Sequence, residues 1–390
     1  MQPRFFKTTE KKTWPFSGNY FFYFLVLGIY FPFFPLYCHH IGFSEKEVGI
    51  ISAVKTFTTV FFPLGWALLA DRFRLQRSVF LLCHCTATLI WCAFFFTDSF
   101  VPMVLIMGAY GFFHSPVIGF TESFTVHFLG GNKTGYGKIR AWGSVGFILA
   151  VWSGGMLLDI WSSGMVLWLI GLGSMAGAMV AFGMPVSQNR GVRISRKDLQ
   201  PFFSGNGSLF LWVCFLMLMS HGAYYGFFSI HLADAGFSGS FTGFAWALAS
   251  FAEIGVMLAS RRLFSFFPLK SLILFSFAVA VLRWTLLAFS LSASVILFSQ
   301  LLHAVTYGVF HMTTILYMDQ LVTSGAKTMG QTVLNASSYG LGLMAGYMVG
   351  GWGFAAMGSG MFLVSAGMAL AGGAFAAALK ASDQPIRSRA

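Results

Sequence analysis

Apolar runs of about twenty residues recur through this chain from residue 18 to residue 379, and the short polar gaps between them alternate between basic and nearly uncharged. A helix crosses the hydrocarbon core of a bilayer in roughly 20 apolar residues. The runs therefore predict spans at 18–38, 48–70, 78–97, 102–125, 139–158, 164–184, 208–232, 241–260, 271–289, 294–318, 329–351 and 354–379. Of the 390 residues, 57% are hydrophobic and 9% charged, too few polar groups to coat a water-soluble globule of this size. The expected class is an all-α integral membrane protein of twelve transmembrane helices, with the lipid bilayer as its solvent.

The placement of charge sets orientation. Of the 24 Lys and Arg, 21 fall in the termini and in every second gap, and only Lys46 falls on the opposite face. Lys and Arg concentrate on the cytoplasmic side of membrane proteins, so both termini are expected there. That placement explains the net charge of +12 without nucleic acid as a partner. The polar stretch from Pro185 to Ser208 divides the spans six and six. The expected organisation is a cytoplasmic segment 1–17, an N-terminal bundle 18–184, a cytoplasmic linker 185–207, a C-terminal bundle 208–379 and a cytoplasmic tail 380–390.

The two halves repeat. The stretch from Gly28 to Gly49 aligns without a gap on Gly222 to Gly243, matching Tyr30 with Tyr224, Phe33 with Phe227 and Ser44 with Ser238. Tyr110 to Glu122 likewise aligns on Tyr307 to Asp319, which pairs His114 with His311 and Glu122 with Asp319. Copies six spans apart share orientation, the parallel repeat of two-bundle secondary transporters.

Ionisable side chains inside spans cost about 2.5–3.5 kcal/mol each on insertion scales and so need a partner or a wet cavity. They are Glu122, Glu253, Asp319, Lys55 and Arg283, with Arg140 at the threshold of the fifth span. Glu122 and Arg140 are 18 residues apart, enough for the end of one helix, a loop and the start of its antiparallel neighbour. Two readings of Arg140 stand: a topology charge at a helix mouth, or the bidentate partner of Glu122. Arg283 needs an acceptor, for which Glu253 is the candidate, and His303 lies 20 residues further on. Lys55 either snorkels to the interface or meets an anionic substrate. Tyr30, Tyr224 and Phe147 are candidates to stack on a ligand. The glycines around "GYGKIRAWG" follow no strand and no Walker lysine accompanies them, which excludes a phosphate loop. No metal-ligand spacing and no nucleophile with its base is present, so no enzyme is expected and the catalytic and metal residues are none.

The stretches "FYFLVLGIYFPFFPLYCHHIG", "GYGKIRAWGSVGF", "HGAYYGFFSIH", "VLRW" and "QLLHAVTYG" resemble the major facilitator superfamily, in particular lactose permease and the branch of phenylpropionate permease and the nucleoside:proton symporters. The resemblance implies the major facilitator fold, two pseudo-symmetric six-helix bundles with a site between them. It also implies proton-coupled symport with no cofactor, the proton gradient being the energy source. In lactose permease a Glu on helix 4 and an Arg on helix 5 hold the sugar, which assigns substrate binding to Glu122 and Arg140. Its helix 9 Arg, helix 10 His and helix 7 Tyr match Arg283, His303 and Tyr224, and its helix 8 Glu corresponds about one turn out of register to Glu253. Two departures matter. The proton-carrying Glu three residues after the helix 10 His is Thr306 here, and the Trp that stacks on galactose is Phe147. The loop motif after helix 2 survives in part as "ADRFRLQR", where Asp71 and Arg72 fit and Arg74 stands at a glycine position.

The reading is a monomeric bacterial inner-membrane symporter for a small organic solute, an aromatic or other organic acid or a nucleoside, working by alternating access. Glu253, Arg283 and His303 are expected to couple the proton, with Asp319 as the rival site. A sugar:proton symporter and an uncoupled uniporter or exchanger are the alternatives.

Overall fold

A computed structural model describes residues 13–130, 133–185, 202, 205–323 and 326–380. The described residues fold into helices without strands. In chain order these are α1 (Trp14–His40), α2 (Glu45–Phe73), α3 (Gln76–Phe96), α4 (Phe100–Leu129), α5 (Lys133–Ile160) and α6 (Met165–Ala181) in the first half. The second half holds α7 (Gly205–Asp234), α8 (Gly239–Phe266), α9 (Leu269–Phe289), α10 (Ala293–Leu321), α11 (327–357) and α12 (Met361–Ala377). Ten stretches are long and apolar enough to cross a membrane. One of these is the 49 residues Met329–Ala377, which turn at Gly358 (φ +55°), and α6 is a shorter apolar helix of 17 residues. Twelve crossings thus require the 49-residue stretch to cross twice and α6 once. Most of the expected linker, the chain start to residue 12 and the tail from 381 lie outside the described residues.

The repeat seen in the sequence is physical. Ser44 caps α2 by accepting from the Glu47 amide, and its counterpart Ser238 caps α8 by accepting from the Phe241 amide. The turns before them place Gly42 and Gly236 at φ +99° and +81°, the left-handed region that glycine enters without cost. Arg74 is the only non-glycine residue with positive φ among the described residues, at +56°, where it ends α2. The glycine expected at that motif position would be unstrained there.

Several of the long helices are irregular. Ser115 and Pro116 interrupt α4, and π-turns occupy Ala304–Val309 in α10 and Ala336–Gly342 in α11. Each half has its own buried core, with Phe33, Phe34, Trp91 and Tyr110 in the first and Phe210, Met217, Trp284 and Phe310 in the second. Leu89 (72% exposed), Leu105 (69%) and Phe289 (75%) point outward. In water that would be uncovered apolar surface; against acyl chains it is ordinary.

The halves meet tightly at one face. A Cβ added to Gly49 of α2 would lie 2.6 Å from the carbonyl oxygen of Tyr347 in α11, and one added to Gly239 of α8 2.7 Å from that of Gly155 in α5. Only glycine lets these backbones approach so closely. His39 and Asp234, 3.6 Å apart, join α1 to α7 at the same face. Toward the face holding the start of α1 and the end of α12, the facing sides of α5 and α8 separate into a cavity, and Leu64 and Leu68 of α2 become exposed. The structure is closed at one end and open at the other.

Candidate transport site

The space between the halves is a cavity of about 240 Å³. Its first-half wall is Phe24, Leu27 and Phe31 from α1 with Arg140, Ser144 and Phe147 from α5. Its second-half wall is Tyr225 from α7, Trp246 to Met257 along one side of α8, and His303, Tyr307 and His311 from α10. Those three α10 residues are spaced four apart and so share one helix face. A recess of about 390 Å³ around Tyr37, Asp98 and Trp168 lies at the closed face, away from the charges inside the spans.

Arg283 is fully buried in α9 and its environment is unusual. It donates from Nη1 to His303 Nδ1 at 2.7 Å, and its Nη2 is 3.4 Å from Gln300 Oε1. Its Cζ lies 4.2 Å from the centroid of the Tyr224 ring, and Tyr224 in turn donates to Gln300 Oε1 at 2.8 Å. A guanidinium has no acceptor, so His303 Nδ1 must be unprotonated and the imidazole carries its hydrogen on Nε2. That Nε2 is 3.0 Å from Glu253 Oε1. His303 therefore stands between a permanent cation and an acid, with Glu253 across the ring from Arg283. Thr306, where the resemblance expects an acid, accepts from Arg283 Nη1 at 3.4 Å and faces His221 Nε2 at 3.4 Å. His221 Nδ1 donates to the Met217 carbonyl, so its Nε2 is free to accept the threonine proton. A neutral threonine thus stands where the resemblance expects an acid, and the carboxyl group that meets His303 comes from α8.

Arg140 lines the cavity, half-buried, with its Cζ 4.0 Å from the Phe24 ring centroid and 5.4 Å from that of Tyr20. No ion pair within 4.0 Å joins it to Glu122; among the described residues such pairs are His39 with Asp234, His303 with Glu253 and Lys327 with Asp319. Glu122 is exposed on α4 within Coulombic range of Arg140. Both helices run about two turns past these residues, so each lies within a helix rather than at a loop. Asp319 bonds Lys327 at 3.0 Å and Gln331 at 3.2 Å, outside the cavity lining. Tyr30 is buried and stacks on Phe34, and Tyr224 is buried under Arg283. Phe147 and His303 reach the cavity. Lys55 is buried beside Tyr110, while Asp71 accepts from Gln76 at the end of α2, next to Arg72. Gln300, Phe24, Tyr307 and Trp246 were missed by sequence reasoning. Gln300 had a signal, a polar residue three before His303 on the same helix.

The MFS_1-like family matches residues 13–364, and the chain belongs to that family. It is 27% identical over 365 residues to the "Probable 3-phenylpropionic acid transporter" of Escherichia coli (strain K12), covering 90% of this chain and 94% of that one. It is 23% identical over 347 residues to the maltose permease of Geobacillus stearothermophilus, covering 85% and 86%. The fold matches that of the nucleoside transporter NupG with a TM-score of 0.82 at 18% identity, covering 94% of this chain and 98% of that one. The protein is a multi-pass membrane transporter of a small molecule, not an enzyme.

Proposed function

We propose that this chain takes up a small aromatic organic acid together with protons, by alternating access, across a bacterial inner membrane with both termini in the cytoplasm. The observation that carries this reading is the Glu253–His303–Arg283 chain on the cavity wall, facing Arg140 across the space between the halves. Glu253 takes the proton: its side chain is 18% exposed against 4% for His303, so it is the member of the chain that water in the cavity reaches. When Glu253 is neutral, Arg283 loses its counter-charge, and a bound anion restores the balance before the halves rock. Release to the cytoplasm follows the reverse order.

Arg140, flattened on Phe24, faces the carboxylate of the solute, and Phe31, Phe147 and Tyr307 take its ring. The 3-phenylpropionic acid relative is consistent with that solute class. A nucleoside is the second reading, favoured by the hydroxyls of Ser144 and Ser250 in the lining and by 22% identity over 334 residues to the xanthosine permease of Escherichia coli (strain K12). Phe147 in place of a stacking Trp argues against a galactoside. The test is uptake of labelled 3-phenylpropionate and xanthosine into proteoliposomes with an imposed pH gradient. Accumulation of the acid that collapses with uncoupler is expected, and accumulation of either solute insensitive to uncoupler would overturn the coupling.

A further inference from the structure

We infer that Lys55, Tyr110 and His114 form a second lobe of the transport site, closed in this conformation, that binds the carboxylate of an anionic solute. The inference rests on the reading of the cavity as a transport site. Its starting point is register: Ser44 and Ser238 cap α2 and α8, and each helix then runs unbroken past the position of interest. Counting from these caps, Lys55 is the counterpart of Ala249, while the α4 and α10 repeats pair Tyr110 with Tyr307 and His114 with His311. Ala249, Tyr307 and His311 all line the open cavity. The aromatic pairs keep the same arrangement, with Tyr307 and His311 stacked at 6.0 Å and 16° and Tyr110 and His114 at 4.9 Å and 28°. The first half therefore carries a counterpart of this part of the wall, with Lys55 where the second half has Ala249, and with Thr59 and Ile106 where the second half has Glu253 and His303.

No carboxylate among the described residues neutralises the Lys55 ammonium in this conformation. Lys55 is 6% exposed, no carboxylate lies within 4.0 Å of it among the described residues, and its Nζ is 5.6 Å from the Tyr110 ring centroid. Beside it, His114 Nδ1 is buried without a partner. Lys55 lies seven residues, about 10 Å, past the start of the expected span at 48, and its side chain is buried against Tyr110 rather than extended to the interface. Counted with the Lys327–Asp319 pair, the cations Lys55, Arg140, Arg283 and Lys327 outnumber the acids Glu122, Glu253 and Asp319 by one, and a monoanion matches that excess. Rocking of one half against the other around a fixed site opens and closes its two sides in turn, which is how this closed wall is reached.

The experiment is binding to the purified full-length protein, by calorimetry and thermal shift, of 3-phenylpropionate and its uncharged isostere 3-phenylpropionamide. Lys55→Met is expected to weaken the acid by at least about tenfold, to leave the amide within about threefold and to melt no lower than wild type, while Lys55→Arg keeps the acid within about threefold. Equal weakening of acid and amide, unchanged acid binding in Lys55→Met, or a marked loss of its melting temperature would each overturn the lobe. Absence of carboxylate binding in wild type would do so too. Liposome uptake is read separately: Lys55-dependent binding without pH-driven uptake would sink the transport reading and leave the lobe standing.

Discussion

Asp159, in the last turn of α5, accepts hydrogen bonds from the backbone N–H of Gly239 at 2.6 Å and of Ser240 at 2.9 Å, and from the Ser240 hydroxyl. A carboxylate from one half thus sits on the N-terminus of α8 in the other half, where the helix dipole and unpaired amides favour negative charge. This contact closes the cavity at one face. Asp159→Ala removes it, and hydrogen bonds to a charged group are worth about 1.5–3 kcal/mol each. The population should move toward the opposite opening by at least about tenfold. Spin labels at Ser162 and Ala235, in the α5–α6 and α7–α8 turns, should report a longer distance in the variant. An unchanged distance distribution would show that the glycine contacts alone hold the closure.

Proton coupling should fail in Glu253→Gln. Uphill accumulation driven by a pH gradient is expected to fall at least about tenfold, while exchange of solute down its own gradient persists, because Gln keeps the acceptor oxygen for His303 Nε2. The sign is specific: wild-type uptake rises as the outer medium is acidified, and the variant loses that dependence. Intact accumulation in Glu253→Gln would move the role to Asp319 or elsewhere.

Arg140 and Glu122 should separate in their effects. Arg140→Ala is expected to abolish acid binding, and Phe24→Ala to weaken it by about three- to thirtyfold by removing a cation–π contact worth about 0.5–2 kcal/mol. Glu122→Gln should change it by less than about threefold, since the two side chains form no ion pair in this conformation. Titration calorimetry on the three variants decides; a large loss in Glu122→Gln would mean that the pair closes around the solute.

Arg74→Gly should stabilise the protein. A side chain in the left-handed region costs about 1–2 kcal/mol, of which glycine's greater freedom in the unfolded chain takes back part. A net gain of about 0.5–1 kcal/mol is expected, seen as a higher melting temperature in detergent.

The residues that make these contacts were legible to different degrees. Lys55, Glu253 and Arg283 stood out in the sequence because charge inside an apolar run is rare and costly, and that cost needs no structure to recognise. Spacing also placed His303 near Arg283, since 20 residues carry the chain from within one span out through its loop and back to a similar depth in the next. Spacing could not say that His303 would stand between Arg283 and Glu253, because that depends on the azimuth of three helices and on the π-turn beginning at Ala304. Nor could it show that Arg140 turns onto Phe24, or that Gln300 reaches Tyr224, as both are contacts between helices far apart in the chain.

By itself, then, the sequence determined a helical membrane chain, its halves and their repeat, because hydropathy, basic-residue placement and the paired glycines and serines are local signals fixed by the bilayer. Only the tertiary structure decided which charges meet, that Glu122 stays apart from Arg140, and at which face the halves close. Those outcomes depend on how helices rotate and pack against one another, and a rotation of a few tens of degrees, invisible in a linear pattern, is enough to turn a buried side chain from one partner to another.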